Sequence, residues 1–94
     1  MKTPKGLSLG EREAFYDDLE RRLLAGEVTI AEAIRSLRVD LLGVDQETFA
    51  RIGRISARTL KSIEAGRGNP TIATLNGLLT PFGFRVGVVR ERRS

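Results

Sequence analysis

"RISARTLKSIEAGRGNP", residues 54–70, is the stretch whose reading decides the fold. Ser56 stands where a helix N-cap belongs, and Gly66 followed by a loop and Pro70 ends whatever Ser56 starts. The residues between, "ARTLKSIEA", form one short helix. Advancing about 100° per residue places Ser56, Leu60, Ile63 and Glu64 on one side, with Arg58 and Ser62 opposite, flanked by Lys61 and Ala65. Leu60 and Ile63 are the pair to be buried. The other face is free of bulky apolar side chains. Across the stretch Arg54, Arg58, Lys61 and Arg67 stand against one acid, Glu64.

The flanks repeat the rhythm of short, capped helices. Asp45 caps "QETFARI", in which Phe49, Ala50 and Ile52 are expected to turn inward, and "GRI" at 53–55 is a tight turn containing Gly. Two short helices joined by such a turn make a helix-turn-helix. Downstream, Thr71 caps "IATLNGLL", and Pro81 and Gly83 prevent a long continuation. Upstream, "SLGE" at 8–11 and "TIAE" at 29–32 are both capping boxes. The first opens a helix to about Leu24 with an apolar stripe of Phe15, Leu19 and Leu23. The second opens a helix with Ile30, Ala33, Ile34, Leu37 and Leu41 on its buried face and Gly43 as its stop.

The end of the chain changes period. In "FRVGVVR", residues 84–90, Phe84, Val86 and Val88 alternate with Arg85, Gly87 and Val89, the signature of a strand. A lone strand satisfies neither its backbone nor its apolar face, and no second strand is visible in the chain. A two-fold copy of the same strand is the economical partner. That pairing would set Phe84, Val86 and Val88 against the helices, with Arg90, Arg92 and Arg93 at the ends to discourage further strand addition. The other reading is a flexible basic tail.

Composition narrows the function. The 94 residues, 40% hydrophobic and 30% charged, suit one globular unit. With no Cys and no His, the commonest nucleophiles, general bases and metal ligands are missing, so no metal and no cofactor are expected. No phosphate-binding Gly-rich motif occurs, the Asp17–Asp18 pair reads as solvated charge, and no enzyme is expected. No membrane span or signal segment is visible, so a cytoplasmic protein is expected. The net charge of +4 is unevenly spread. Residues 1–50 hold 7 basic and 10 acidic side chains; residues 51–94 hold 9 basic and 2 acidic. Basic charge concentrated in this way attracts polyanions.

Geometry makes that polyanion DNA. A major groove admits one helix, and an outward Arg suits bidentate contact with guanine. Only the N-terminal part of such a helix reaches bases. The abrupt stop then brings Arg67 and the peptide N–H groups of Gly68 and Asn69 to phosphate.

Residues 46–79, "QETFARIGRISARTLKSIEAGRGNPTIATLNGLL", resemble the Cro/C1-type (xenobiotic-response-element, XRE) helix-turn-helix family. The marks are Gln46, Ala50, the Gly53 turn, the Ser56 cap, "IEAG" at 63–66 and "NPT" at 69–71, and the likeness extends over roughly 30–79. The resemblance implies that Ala57, Arg58 and Ser62 face bases, and that Gln46, Arg54, Lys61, Arg67, Gly68 and Asn69 lie at the phosphates. It also implies that Glu64 pairs with an Arg of the preceding helix, Arg38 or Arg35. The Arg38–Gln46 spacing is one residue longer than the family's pattern.

A C-terminal strand after the motif resembles the HipB-type antitoxins, whose strands pair across a dimer and which repress their own operon and bind a HipA-type kinase toxin. The expected fold is therefore mainly α: a lambda-repressor-like helix-turn-helix domain with an extra N-terminal helix and one C-terminal β-strand pairing across a dimer. The expected divisions are 1–28 (arm and extra helix), 29–83 (DNA-binding domain) and 84–94 (strand and basic tail). The N-terminal helix is either a packing element or a docking surface. The expected function is a sequence-specific transcriptional repressor, the autoregulating antitoxin of a toxin–antitoxin operon, with an operator duplex, a second copy and a HipA-type kinase as partners. The alternative is a protein-interaction module on the same fold.

Overall fold

Five side-chain oxygens start five helices. The computed structural model describes residues 7–91. Ser8 and Glu11 close a reciprocal capping box on α1 (Leu9–Leu24), and Thr29 and Glu32 close another on α2 (Ile30–Ser36). Asp45 caps α3 (Gln46–Gly53), Ser56 caps α4 (Ala57–Glu64) and Thr71 caps α5 (Ile72–Leu79), each accepting the N–H three residues on. Each such bond satisfies one of the N–H groups a helix start leaves without a partner.

The helix that begins at Ile30 does not stay α-helical to Gly43. It continues as a π-helical turn over Leu37–Leu42 before Gly43 closes it in the left-handed conformation. A π turn takes up one extra residue without breaking the helix. It absorbs the added residue between Arg38 and Gln46. Leu37 and Leu41 both stay buried across it.

The core lies between these helices. Ile34, Leu37, Leu41, Phe49, Leu60 and Leu78 are fully buried, and Phe49 stacks on Phe82 of the short 3₁₀ turn Thr80–Phe82 with centroids 5.9 Å apart. Helix α1 joins this core through Leu19, with Phe15, Tyr16 and Leu23 half-buried beside it.

Four expectations need correction. Ile52 is exposed rather than inward. At about 100° per residue Gln46, Phe49, Ala50 and Gly53 share one arc, and Ile52 falls well outside it. Ile30 is 38% exposed rather than core, because it sits at the first turn of α2, beside a groove that no described residue fills. The turn expected over 53–55 begins one residue later: Gly53 is the last residue of α3, and Arg54, with φ of 58°, is the left-handed residue. Gly53 serves a different need: a Cβ there would collide with the Leu78 side chain, so its hydrogen lets α5 approach α3.

The fourth concerns residues 84–90, which form no strand among the described residues. A ladder needs a neighbour, and here the chain is held by α5 instead: Phe84 N–H donates to Leu79 C=O, and Val86 N–H donates to Asn76 Oδ1 at 2.8 Å. Phe84 and Val86 pack against the core as expected, with the Phe84 ring 5.9 Å from Tyr16. Val88 does not; it is 99% exposed, beyond the last bond that anchors the segment. The expectations for Arg92, Arg93 and the first six residues lie outside the described range.

Candidate nucleic-acid interface

Helix α4 owes its orientation to two forces. Leu60 and Ile63 are buried at 0% and 4% exposure, which fixes its inner face. An ion pair then fixes its C-terminal end. Glu64, on a side chain only 5% exposed, accepts from Arg38 Nε at 2.7 Å and from Arg38 Nη2 at 2.9 Å. That fork-to-fork geometry is the strong form of an ion pair. Arg38 also donates Nη1 to Val44 C=O, and Gln46 donates Nε2 to Glu64 Oε1 at 3.1 Å. One carboxylate therefore ties α4 to α3, to the π turn and to the loop before α3. Of the two candidates for Glu64, the partner is Arg38, which the π turn holds in reach despite the longer spacing. The Glu64 hydrogen bond raises the Arg38 pKa above its already high ordinary value.

With its inner side fixed, α4 turns Arg58 and Lys61 to solvent. Ala57 opens the helix, half-buried beside them. Arg58, Ser62, Arg67, Gly68 and Asn69 line one concavity of about 330 Å³ along the outer face. Beyond the helix, Gly66 N–H returns to Ile63 C=O and Arg67 N–H returns to Ser62 C=O. Among the described residues the next two N–H groups, of Gly68 and Asn69, have no partner within the chain. They are donors left over at the point where a phosphate would lie.

A second concavity, of about 510 Å³, brings Gln46 and Lys61 together with Arg35, Asp45 and the Arg38–Glu64 pair. Gln46 spends one amide hydrogen on Glu64 and keeps the other. Arg35, the other sequence candidate for pairing with Glu64, is exposed, free of ion pairs among the described residues, and positioned beside Gln46 and Lys61. The signal that finds it is its three-residue offset from Arg38, which puts it on the next turn of the same face. Asp45, in the same hollow, is committed to the α3 cap. The Thr48 N–H bond, chiefly, holds its carboxyl below the usual value of 3.8. A depressed carboxyl contributes its stability above that usual value and loses it as the pH falls through its own lowered one.

Electrostatics distinguish this face from the end of α1. There Arg21 pairs with Asp18 and Glu27, and Arg22 with Asp18. Among the described residues, Arg51, Arg54, Arg58, Lys61 and Arg67 have no acidic partner at ion-pair distance. Uncompensated cations around an exposed helix make a positive field suited to a phosphate backbone. Arg54 is exposed at the α3–α4 turn, separate from both concavities.

A helix-turn-helix with such a face on its second helix defines a DNA-binding regulator. The helix-turn-helix family model matches residues 34–87, more than half of the 94-residue chain, and the chain belongs to that family, in its Cro/C1 (XRE) form. No curated protein and no solved structure matches it. Helix α1 lies before the matched residues. No helix among the described residues is long and apolar enough to cross a membrane.

Proposed function

We propose that the protein is a sequence-specific transcriptional repressor that binds its operator as a homodimer. The observation that carries this reading is the outer face of α4, where Arg58 and Ser62 share a concavity with Arg67 and the unbonded N–H groups of Gly68 and Asn69. Ala57, Arg58 and Ser62 read base edges. Lys61 and Arg67, with Gln46, Arg54 and the missed Arg35, hold phosphates. One such helix reads few base pairs, and a two-fold copy doubles the site, with half-sites about 34 Å apart. The finer reading, an autoregulating antitoxin acting in the cytoplasm on a HipA-type kinase toxin, rests on the resemblance of the C-terminal segment to the HipB-type proteins. No catalytic step, metal or cofactor enters this proposal.

Selection of duplexes from a random pool tests it. The reading expects enrichment of a palindrome. On that site Arg58→Ala weakens binding by roughly 1–3 kcal/mol, and on unrelated DNA by much less. Arg67→Ala weakens both alike and lowers the salt slope by about 1. A pool from which nothing is enriched would leave a protein-interaction module as the better account. Growth rescue on co-expression with the product of the adjacent reading frame tests the antitoxin reading separately.

A further inference from the structure

Seven large apolar side chains stay exposed among the described residues, and four of them, Leu24, Ile30, Val88 and Val89, line one groove of about 440 Å³. Leu24 is 61% exposed at the end of α1, and Ile30 opens α2. The two valines come from the C-terminal segment. Apolar area concentrated at one place marks an interaction surface, whereas the same residues scattered singly would not.

Two observations say what covers it. The first is the backbone of the segment beside the groove. Phe84 and Val86 direct their N–H groups to α5, and among the described residues the N–H groups of Arg85, Gly87, Val88 and Val89 have no partner. An occupant that displaces water from them must therefore bring acceptors as well as apolar side chains, and a second copy of residues 85–89 brings both. The second observation is charge. The groove has Glu20 at one place on its lining and Arg85 at another, and neither makes an ion pair among the described residues. In a two-fold interface residue i meets j and j meets i. A two-fold pairing that sets Glu20 of each copy against Arg85 of the other would satisfy both charges, so the groove's charges suit a second copy.

We propose that the extra N-terminal helix builds half of the homodimer interface: the end of α1 and the start of α2 form a groove that receives Val88 and Val89 of a second copy, whose segment 85–89 runs beside this chain's own. This rests on the homodimer reading above and adds α1 to it. The groove shares no lining residue with the two concavities of the DNA face, so dimer and duplex do not compete for side chains.

Sedimentation equilibrium of the full chain over a wide concentration range tests the proposal. Leu24→Glu, Val88→Glu, Glu20→Arg and Arg85→Glu all alter exposed residues, and the helical circular-dichroism signal and melting temperature serve as folding controls. Each single variant is expected to weaken self-association by about tenfold or more. The double variant Glu20→Arg/Arg85→Glu is expected to regain the association that either single change loses. If Leu24→Glu associates as the unaltered protein does while Val88→Glu dissociates, the segments pair without α1; the inference fails and the homodimer stands. An unaltered chain that is monomeric at every concentration overturns the homodimer reading itself, and the groove then belongs to a different protein.

Discussion

Helix α4 and the segment 84–90 are of similar length and lie on the same small domain, but they differ in what they complete. Helix α4 closes its own backbone bonds, buries Leu60 and Ile63, and anchors its end through Glu64, leaving Arg58 and Lys61 outward among small polar side chains. The segment half-buries Phe84 and Val86, then leaves Val88 bare and, among the described residues, several N–H groups unbonded. A helix satisfies its main chain within itself, whereas an extended segment needs a neighbour. One surface is finished and awaits an anion. The other is unfinished and awaits main-chain and apolar partners.

That contrast has measurable consequences. The largest is in the core. Leu60→Ala is expected to destabilise the fold by about 2–5 kcal/mol, at roughly 4–8 °C of melting temperature per kcal/mol, while Val88→Ala leaves the melting temperature of the dilute protein unchanged. Similar losses at both positions would erase the distinction between the two regions. The two glycines sharpen it next. Gly53→Ala drives a methyl group into Leu78 and is expected to cost about 1–3 kcal/mol. Gly87 has open space around it, and Gly87→Ala changes stability by at most about 1 kcal/mol, in the stabilising direction. Chemical denaturation of both variants measures the difference. The smallest effect is at Arg54. Its left-handed backbone favours glycine, so Arg54→Gly is expected to raise stability by about 0.5–1 kcal/mol. If Arg54 holds a phosphate as proposed, the same change is expected to lower affinity for every duplex. A variant that gains stability and loses no affinity would remove Arg54 from the interface.

Most helix starts were legible, because capping is local chemistry: Ser8, Thr29, Asp45, Ser56 and Thr71 each announce themselves within four residues. So was the facing of α4, since Leu60 and Ile63 leave it only one way to turn. The π turn was not legible; helical periodicity reads the same apolar face through it, and only the Arg38–Gln46 spacing hinted at an extra residue. The steric use of Gly53 was not legible, because it depends on α5 lying against it. Ile30 and Val88 share one cause of error: an apolar residue near a buried stripe looks buried until the neighbour meant to cover it is placed; Ile52 instead lies outside the inward arc of α3. Arg35 became part of the candidate site only once the fold set it beside Gln46 and Lys61.

The central claim is that the outer face of α4 meets DNA and the groove by α1 does not. Amide chemical-shift mapping during titration with a duplex at low salt tests it directly, and needs no knowledge of the operator because phosphate contacts are independent of sequence. The account predicts shifts concentrated at Gln46, Arg58, Ser62 and Arg67–Asn69, with Leu24, Ile30, Val88 and Val89 unmoved. Shifts gathered instead at those four apolar residues, with the α4 face silent, would contradict it.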